Sequence, residues 1–250
     1  MTSITPEQHT AARIVGFLYL LTMATSIVGY VLRDPLLVRG NAVETATRIA
    51  ASERIYRISI VSDLLTVVGV IILLWAIYVV LKPIDKNVAL LATFFRLVEN
   101  FVLGMITLCG FAAVALLGGA EHLRAFDAAE LQALIYTLAV RVHGAGFNIG
   151  FVFLGVGSTV FSYLWLKSRY IPRVIAVWGI FSSLLLATVT LAIMVYPRLG
   201  ALGLMHMMPM GIYEVGLGLW LLIIGIQEPK GSQRPTLNAQ HPTPNAGASV

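Results

Sequence analysis

Six long apolar segments divide the chain, and short polar or proline-containing stretches separate them. The segments cover residues 11–32, 60–81, 88–117, 145–166, 172–196 and 209–226. A helix that crosses a bilayer needs about 20 predominantly apolar residues, and the first five segments satisfy this length. The sixth satisfies it only if its helix begins earlier, near Gly203. The pattern predicts an all-α, polytopic membrane helix bundle with six transmembrane helices.

A short amphipathic helix is expected after the first span. Asn41 followed by Glu44 is the pattern of a capping box at a helix start. Apolar residues then recur at helical spacing, at Val43, Ala46, Ile49 and Ala50. We expect this helix to lie in the membrane interface. A second capping pattern, Asp127 with Glu130, predicts a helix that continues into the fourth span.

The pattern also predicts the organisation around the bundle. Residues 1–10 are expected to form a short cytoplasmic N-terminus, and residues 11–226 the six-helix transmembrane domain. Residues 227–250 are rich in Pro, Gly, Asn and Ser, a composition that buries too little apolar surface to fold, so we expect a disordered cytoplasmic tail. The first apolar run is longer than the core of a cleavable signal peptide and is interpreted as a retained helix.

Composition agrees with a membrane environment. Of the 250 residues, 58% are hydrophobic and 12% charged, against about 45–50% and about 25% in soluble domains. The chain therefore requires the lipid bilayer as its solvent. The net charge of +5 comes from cations at the ends of apolar runs, which suits lipid headgroups, and we expect no nucleic-acid partner.

Orientation follows from the distribution of cations. The segments 82–86 and 167–173 are short and dense in Lys and Arg, and short loops obey the positive-inside rule best. We therefore expect both of these loops, and both termini, to be cytoplasmic.

Several local motifs resemble one family of proteins. They are RIVGFLYL at 13–20, LKPI at 81–84, FRLVE at 95–99, KSRYIPR at 167–173 and WLLIIG at 220–225. In this order and spacing they resemble the bacterial integral membrane proteins grouped as the Domain of Unknown Function 4386 family, over roughly residues 11–226. The resemblance implies a multi-pass protein of the bacterial plasma (inner) membrane. It implies no established activity and supplies no catalytic residues.

Two charged residues stand inside the third apolar segment. Arg96 lies about 14 Å beyond Lys86 along a helix, and Glu99 lies one turn further, near the midplane. At this i, i+3 spacing the two side chains share a face. A central charge costs about 2.5–3.5 kcal/mol even on lenient insertion scales. Both side chains are therefore expected to face the bundle interior, where they are paired or hydrated.

Other intramembrane polar groups extend this set. The candidates for a ligand or ion pathway are Asp63, Arg96, Glu99, His143, Asn148 and Glu214. Asp63 is near enough to the interface to accept a hydrogen bond from Arg57 or Tyr56. Three carboxylates against one deep arginine leave surplus negative charge, which a proton, water, a cation or the outer arginines must balance.

Three functions remain open at this point. The first is binding or transport of a small polar or cationic solute through these residues. The second is a structural or regulatory role, in which the charges serve helix assembly, including assembly of a homo-oligomer. The third is an intramembrane enzyme that uses His143 with Glu214 or Asp63, in one version around a metal ion. The sequence contains no metalloprotease, P-loop, nucleophile-elbow or dinucleotide motif, so we expect no metal and no cofactor, and the balance is against an enzyme.

Overall fold

The computed structural model describes residues 4–118 and 125–228, and this part of the chain is almost entirely helical. Eight α-helices are defined there: α1 (Pro6–Arg33), α2 (Ala42–Ala51), α3 (Glu53–Leu81), α4 (Lys86–Ala115), α5 (Ala128–Tyr136), α6 (His143–Ser168), α7 (Arg173–Val195) and α8 (Met208–Ile223). Six helical spans are long and apolar enough to cross a membrane. The predicted helix bundle with six spans and a short helix after the first is confirmed. From residue 229 onward, the predicted tail lies outside the described residues.

The six spans form a closed ring. α1 packs against α3, α3 against α4, α4 against α6, α6 against α7, α7 against α8, and α8 returns to α1. A core of buried apolar side chains runs through all six, with Leu73, Leu164 and Leu217 among its best covered members. Because every span has a neighbour on each side, polar groups on the inner faces are separated from lipid.

Helix ends are fixed by caps and by proline. Thr5 and Gln8 form a capping box, so α1 begins at Pro6, five residues before the predicted start of the span. Asp85 caps α4 by accepting from the Val88 amide at 3.1 Å. The sixth span begins at Met208, one residue before the predicted segment, and ends at Ile223, three residues before its predicted end. A 3₁₀ segment, Pro197–Met207, with Gly203 at φ +53°, precedes α8.

One end of the bundle is covered by α2 and α5, and we call it the cap end. α2 packs against α5, with Ala46 and Ile49 buried, while Val43 is exposed. α2 therefore packs on the bundle through this face, and its position in the membrane interface stays a prediction. Asn41 caps α2, but Glu44 does not complete the capping box, because its carboxylate pairs with Arg48 at 2.6 Å.

The connection from the cap to the fourth span is continuous. Asp127 and Glu130 form the predicted capping box at the start of α5. A π-helical segment, Thr137–Val142, joins α5 directly to α6. Such segments are rare and occur often at functional sites.

Glycines allow the closest helix contacts in the ring. A Cβ on Gly16 of α1 would lie 2.7 Å from the Gly218 carbonyl oxygen of α8. A Cβ on Gly157 of α6 would lie 2.8 Å from Cγ of Arg96 and 3.1 Å from Cβ of Phe95 on α4. Small residues at these positions let the helix backbones approach, as is common in membrane bundles.

Candidate functional site

Arg96 and Glu99 lie on the inner face of α4, where they form a buried ion pair. Nε of Arg96 is 3.4 Å from Oε2 of Glu99, and each side chain is 4% exposed. Arg96 also donates from an Nη to Oγ of Ser158 on α6 at 3.3 Å. The expectation that both charges avoid lipid by facing the interior matches this geometry.

The hydrogen bonding of this pair is incomplete. Oε2 of Glu99 is buried and accepts no hydrogen bond from the described residues, because the Arg96 contact has the distance of an ion pair but not the alignment of a hydrogen bond. The adjacent Asn100 donates to the Val67 carbonyl at 3.0 Å, but its own oxygen is also buried without a donor. Buried acceptors without donors are rare in proteins and are costly.

Glu214 brings a second carboxylate toward Arg96 from α8. It lies one turn before Gly218, which packs against Tyr19 and Gly16 of α1, so it sits at the seam between α1 and α8. Glu214 is half-buried and close enough to Arg96 for their charges to interact. Its carboxylate makes no ion pair within 4.0 Å among the described residues.

Hydroxyl groups complete the surroundings of these charges. Tyr213 is buried and accepts a hydrogen bond from Oγ of Ser162 at 3.0 Å. Tyr19 of α1 is also buried, and both tyrosines lie within electrostatic range of Arg96. We call the five residues Tyr19, Arg96, Glu99, Tyr213 and Glu214 the central cluster. It draws on α1, α4 and α8, with serines of α6 beside it.

A second polar group lies nearer the cap end. Arg33, 5% exposed at the end of α1, forms an ion pair with Asp63 of α3. Tyr56 and His143 lie within electrostatic range of Arg33. His143 is half-buried and stacks near Phe147, with ring centroids 4.8 Å apart. We call the set Arg33, Tyr56, Asp63 and His143 the cap-end cluster.

The structure therefore divides the six predicted site residues. Arg96, Glu99 and Glu214 come together in the central cluster, and Asp63 and His143 belong to the cap-end cluster. Asn148 joins neither. It is half-buried on α6, and its side chain makes no hydrogen bond to any of the described residues.

The expected partner of Asp63 was wrong. Neither predicted donor bonds to it: Arg57 pairs with Glu53 one turn away, at 2.6 Å, and in the described part of the chain Asp63 bonds to Arg33 rather than to the Tyr56 hydroxyl. Arg33 takes that place because α1 and α3 are antiparallel neighbours. Long helical side chains point toward the N-terminus of their own helix. Arg33 and Asp63 therefore extend toward each other across the α1–α3 contact.

Sequence reasoning missed two members of the central cluster, Tyr19 and Tyr213, and their neighbour Asn100. Asn100 and Tyr213 stand directly beside the charged residues Glu99 and Glu214, and this adjacency is a signal that could have found them. Tyr19 offers no such signal, because it reads as an ordinary aromatic within an apolar run. Its place in the central cluster depends on the contact of α1 with α8.

The charges of the two clusters do not balance equally. In the cap-end cluster, one carboxylate meets one guanidinium. In the central cluster, Glu99 and Glu214 face Arg96 alone. If both carboxylates are ionised, the cluster carries one uncompensated negative charge in a low-dielectric interior. A proton, a cation or a strong hydrogen-bond donor would remove this cost.

Comparison with known proteins gives one match. A family model described as "Domain of unknown function (DUF4386)" matches residues 14–225, nearly the whole range over which the sequence motifs resemble that family. No curated protein and no solved structure matches the chain.

Proposed function

Because the chain belongs to the DUF4386 family, a domain of unknown function, its activity has to be inferred from its own side chains. We propose that it binds a small cationic or polar solute at the central cluster and carries that solute across the membrane. The proposal identifies the solute by its chemistry: it must bring positive charge or hydrogen-bond donors.

One observation carries this proposal. Oε2 of Glu99 is a buried carboxylate oxygen without a hydrogen-bond donor, in a cluster that has two carboxylates and one arginine. An ammonium or guanidinium group supplies both the missing donor and the missing charge. A proton bound to Glu99 or Glu214 supplies them as well, which makes proton-coupled exchange a natural mode of transport.

The depth of the cluster along the helices supports this proposal. Glu99 lies about 20 Å along α4 from Lys86, and Glu214 lies about 14 Å from the end of α8 at Ile223. Both positions are well inside a hydrocarbon layer of about 30 Å. Ionisable groups at this depth are functional candidates in membrane proteins.

The test is a flux measurement on reconstituted protein. Proteoliposomes that contain a pH-sensitive dye would be mixed with methylammonium or guanidinium, with and without a pH gradient. We expect uptake of one of these probes, or proton movement, in the wild type. Glu99→Gln and Glu214→Gln should each reduce the rate at least about tenfold, because each removes the charge that balances the solute.

Glu53→Gln is the matched control. Glu53 is a half-exposed partner of Arg57 at the start of α3. Because α3 contributes no residue to the central cluster, this substitution should leave the flux unchanged. Wild-type flux in both Glu99→Gln and Glu214→Gln, or equal loss in Glu53→Gln, would refute carboxylate-dependent transport.

A structural role is the second candidate, and a specific contact favours it. Arg96 reaches across to Ser158, and Gly157 permits the close approach of α4 and α6 at the same level. In this case the charges fix how the helices pair, as buried polar groups do in some proteins. Glu214 makes no ion pair among the described residues, so its substitution would then change neither the assembly of the protein nor the flux measured in proteoliposomes.

The cellular location belongs to the same proposal. We propose that the protein resides in the bacterial plasma membrane with both termini in the cytoplasm. The basic segments 82–86 and 167–173 support this orientation. The cap end, with α2 and α5, then faces the outside, and a solute entering from outside meets the cap-end cluster before the central one.

A further inference from the structure

A depression at the cap end has features of an anion-binding site. It has a volume of about 370 Å³ and lies between the loop before α2 and the π-helical segment before α6. Arg39 contributes from the loop, and Arg141 from the π-helical segment, with Tyr136 between them. The site is separate from both polar clusters described above, and it does not depend on the proposed transport activity.

Within residues 4–118 and 125–228, the two arginines have no acidic partner. Among the described residues, no carboxylate lies within 4.0 Å of Arg39 or Arg141, whereas Arg33, Arg48, Arg57 and Arg96 all have one. The guanidinium of Arg141 lies 5.9 Å from the centre of the Tyr136 ring. This cation–π contact restrains Arg141 without using its hydrogen-bond donors.

Tyr136 has a free donor at the same place. Its hydroxyl oxygen accepts a hydrogen bond from the Gly40 amide at 2.8 Å. Because that bond uses the oxygen as an acceptor, the hydroxyl proton remains available for a ligand. Gly40, at φ +85°, and Gly144 have nothing within 4 Å where a Cβ would stand, so the space beside these donors is open.

The depth of the site suits a lipid phosphate. Arg141 lies 26 positions before Lys167, or roughly 39 Å along the helical axis. If Lys167 marks one edge of a hydrocarbon layer of about 30 Å, Arg141 lies roughly 9 Å beyond the other edge. That is the level of the headgroups, where phosphate groups are concentrated.

We propose that Arg39, Tyr136 and Arg141 bind a phosphate group, supplied by the headgroup of an anionic phospholipid at the cap end. Guanidinium groups pair with phosphate oxygens in bidentate geometry, and the tyrosine hydroxyl adds a third donor. Inorganic phosphate has the same chemistry and is the other source that the experiment must distinguish.

The test uses native mass spectrometry of the full-length protein. The protein would be purified in a mild detergent and titrated with phosphatidylglycerol, phosphatidylcholine or inorganic phosphate. We expect a first phosphatidylglycerol adduct that forms at lower concentration than the phosphatidylcholine adduct. Arg39→Gln and Arg141→Gln should each weaken that adduct about tenfold or more, since each removes charge-assisted hydrogen bonds to phosphate.

Arg54→Gln is the matched control, because Arg54 is an exposed arginine at the same end of the protein and outside the depression. Tyr136→Phe keeps the ring beneath Arg141 and tests the hydroxyl alone. If millimolar inorganic phosphate displaces the lipid adduct from wild type and from Arg54→Gln alike, the same donors also bind phosphate from a soluble source. Lipid adducts that weaken equally in Arg54→Gln and Arg39→Gln, with all variants monodisperse, would overturn the site.

Discussion

At the scale of single residues, the central cluster depends on Arg96. It is the one cation within reach of both Glu99 and Glu214 in the described part of the chain, and it also bonds to Ser158. Removal of one partner from a buried ion pair destabilises a protein more than replacement of both partners by apolar residues, because the remaining charge stays buried without compensation. Arg96 is therefore expected to matter more to stability than any exposed arginine.

Arg96→Met tests this expectation. In soluble proteins, breaking a buried pair costs about 3–5 kcal/mol, whereas an exposed i, i+4 pair contributes about 0.3–0.5 kcal/mol. We expect Arg96→Met to lower the melting temperature of the detergent-solubilised protein clearly, and Arg57→Met to leave it nearly unchanged. Heating followed by size-exclusion chromatography measures both.

The double variant Arg96→Met with Glu99→Met sharpens the test. Removing both charges should recover part of the lost stability, because no unpaired charge remains from this pair. Equal melting temperatures for Arg96→Met and Arg57→Met would show that the buried pair contributes nothing to folding.

The sequence could predict part of this arrangement. Arg96 and Glu99 stand one turn apart in an apolar run, and hydrocarbon tolerates neither charge alone, so their inward orientation followed from the residues themselves. The pairing of Asp63 with Arg33 could not be predicted in the same way. It depends on which helix lies beside α3, and that information is absent from the pattern along any one segment.

At the scale of helices, glycines decide how closely the spans approach. Gly157 lies where α6 meets Arg96, Phe95 and the Ala92 carbonyl of α4. Gly216, on α8, has nothing within 4 Å of a Cβ position. The same substitution should therefore have opposite effects at these two positions.

Gly157→Ala is expected to destabilise the bundle. The added Cβ would lie 2.8 Å from Cγ of Arg96, so α4 and α6 must separate or Arg96 must move, at a cost of about 1–3 kcal/mol. Gly216→Ala should be neutral or stabilising by up to about 1 kcal/mol, because alanine favours helix. Thermal unfolding of both variants measures the difference, and a Gly157→Ala protein as stable as Gly216→Ala would contradict the packing.

Helix boundaries show where sequence reasoning is weakest. Capping residues predicted the starts of α2 and α5, at Asn41 and Asp127, whereas α1 and α3 begin five and seven residues before their predicted spans. The predicted sixth segment starts one residue after α8 does, but the structure of the chain before Met208 was not predictable from hydropathy, since those residues are also largely apolar. The chain there forms a 3₁₀ segment with a kink at Gly203, which no periodicity in this short run indicates. α2 was predicted as a helix, but its burial against α5 depends on tertiary contact.

At the scale of the whole molecule, the two ends of the bundle differ in the segments that they carry. A basic loop at 82–86 lies at the end opposite α2 and α5, because α3 and α4 meet there. In the orientation that we propose, this loop lies in the cytoplasm, as the positive-inside rule predicts. The phosphate site proposed at the cap end would then contact the outer leaflet of the plasma membrane.

Cysteine labelling tests this orientation. Cys109 is the sole cysteine, so a Cys109→Ala background accepts single cysteines at exposed positions. We expect a membrane-impermeant maleimide to label Thr47→Cys on α2 in intact bacterial cells. Asn87→Cys, in the first turn of α4, should react only after permeabilisation. The reverse pattern would place both termini outside.

The contact between the first and last spans also determines when the bundle can close during biosynthesis. A ribosome must have synthesised the chain through Ile223 before α8 can fill the gap between α7 and α1. Until then Arg96 and Glu99 lie in an incomplete ring, and the insertion machinery or water must solvate their charges. A nonsense mutation shortly before Met208 should therefore be as harmful as one near the start, since proteases that remove incomplete membrane proteins would encounter the same unclosed ring.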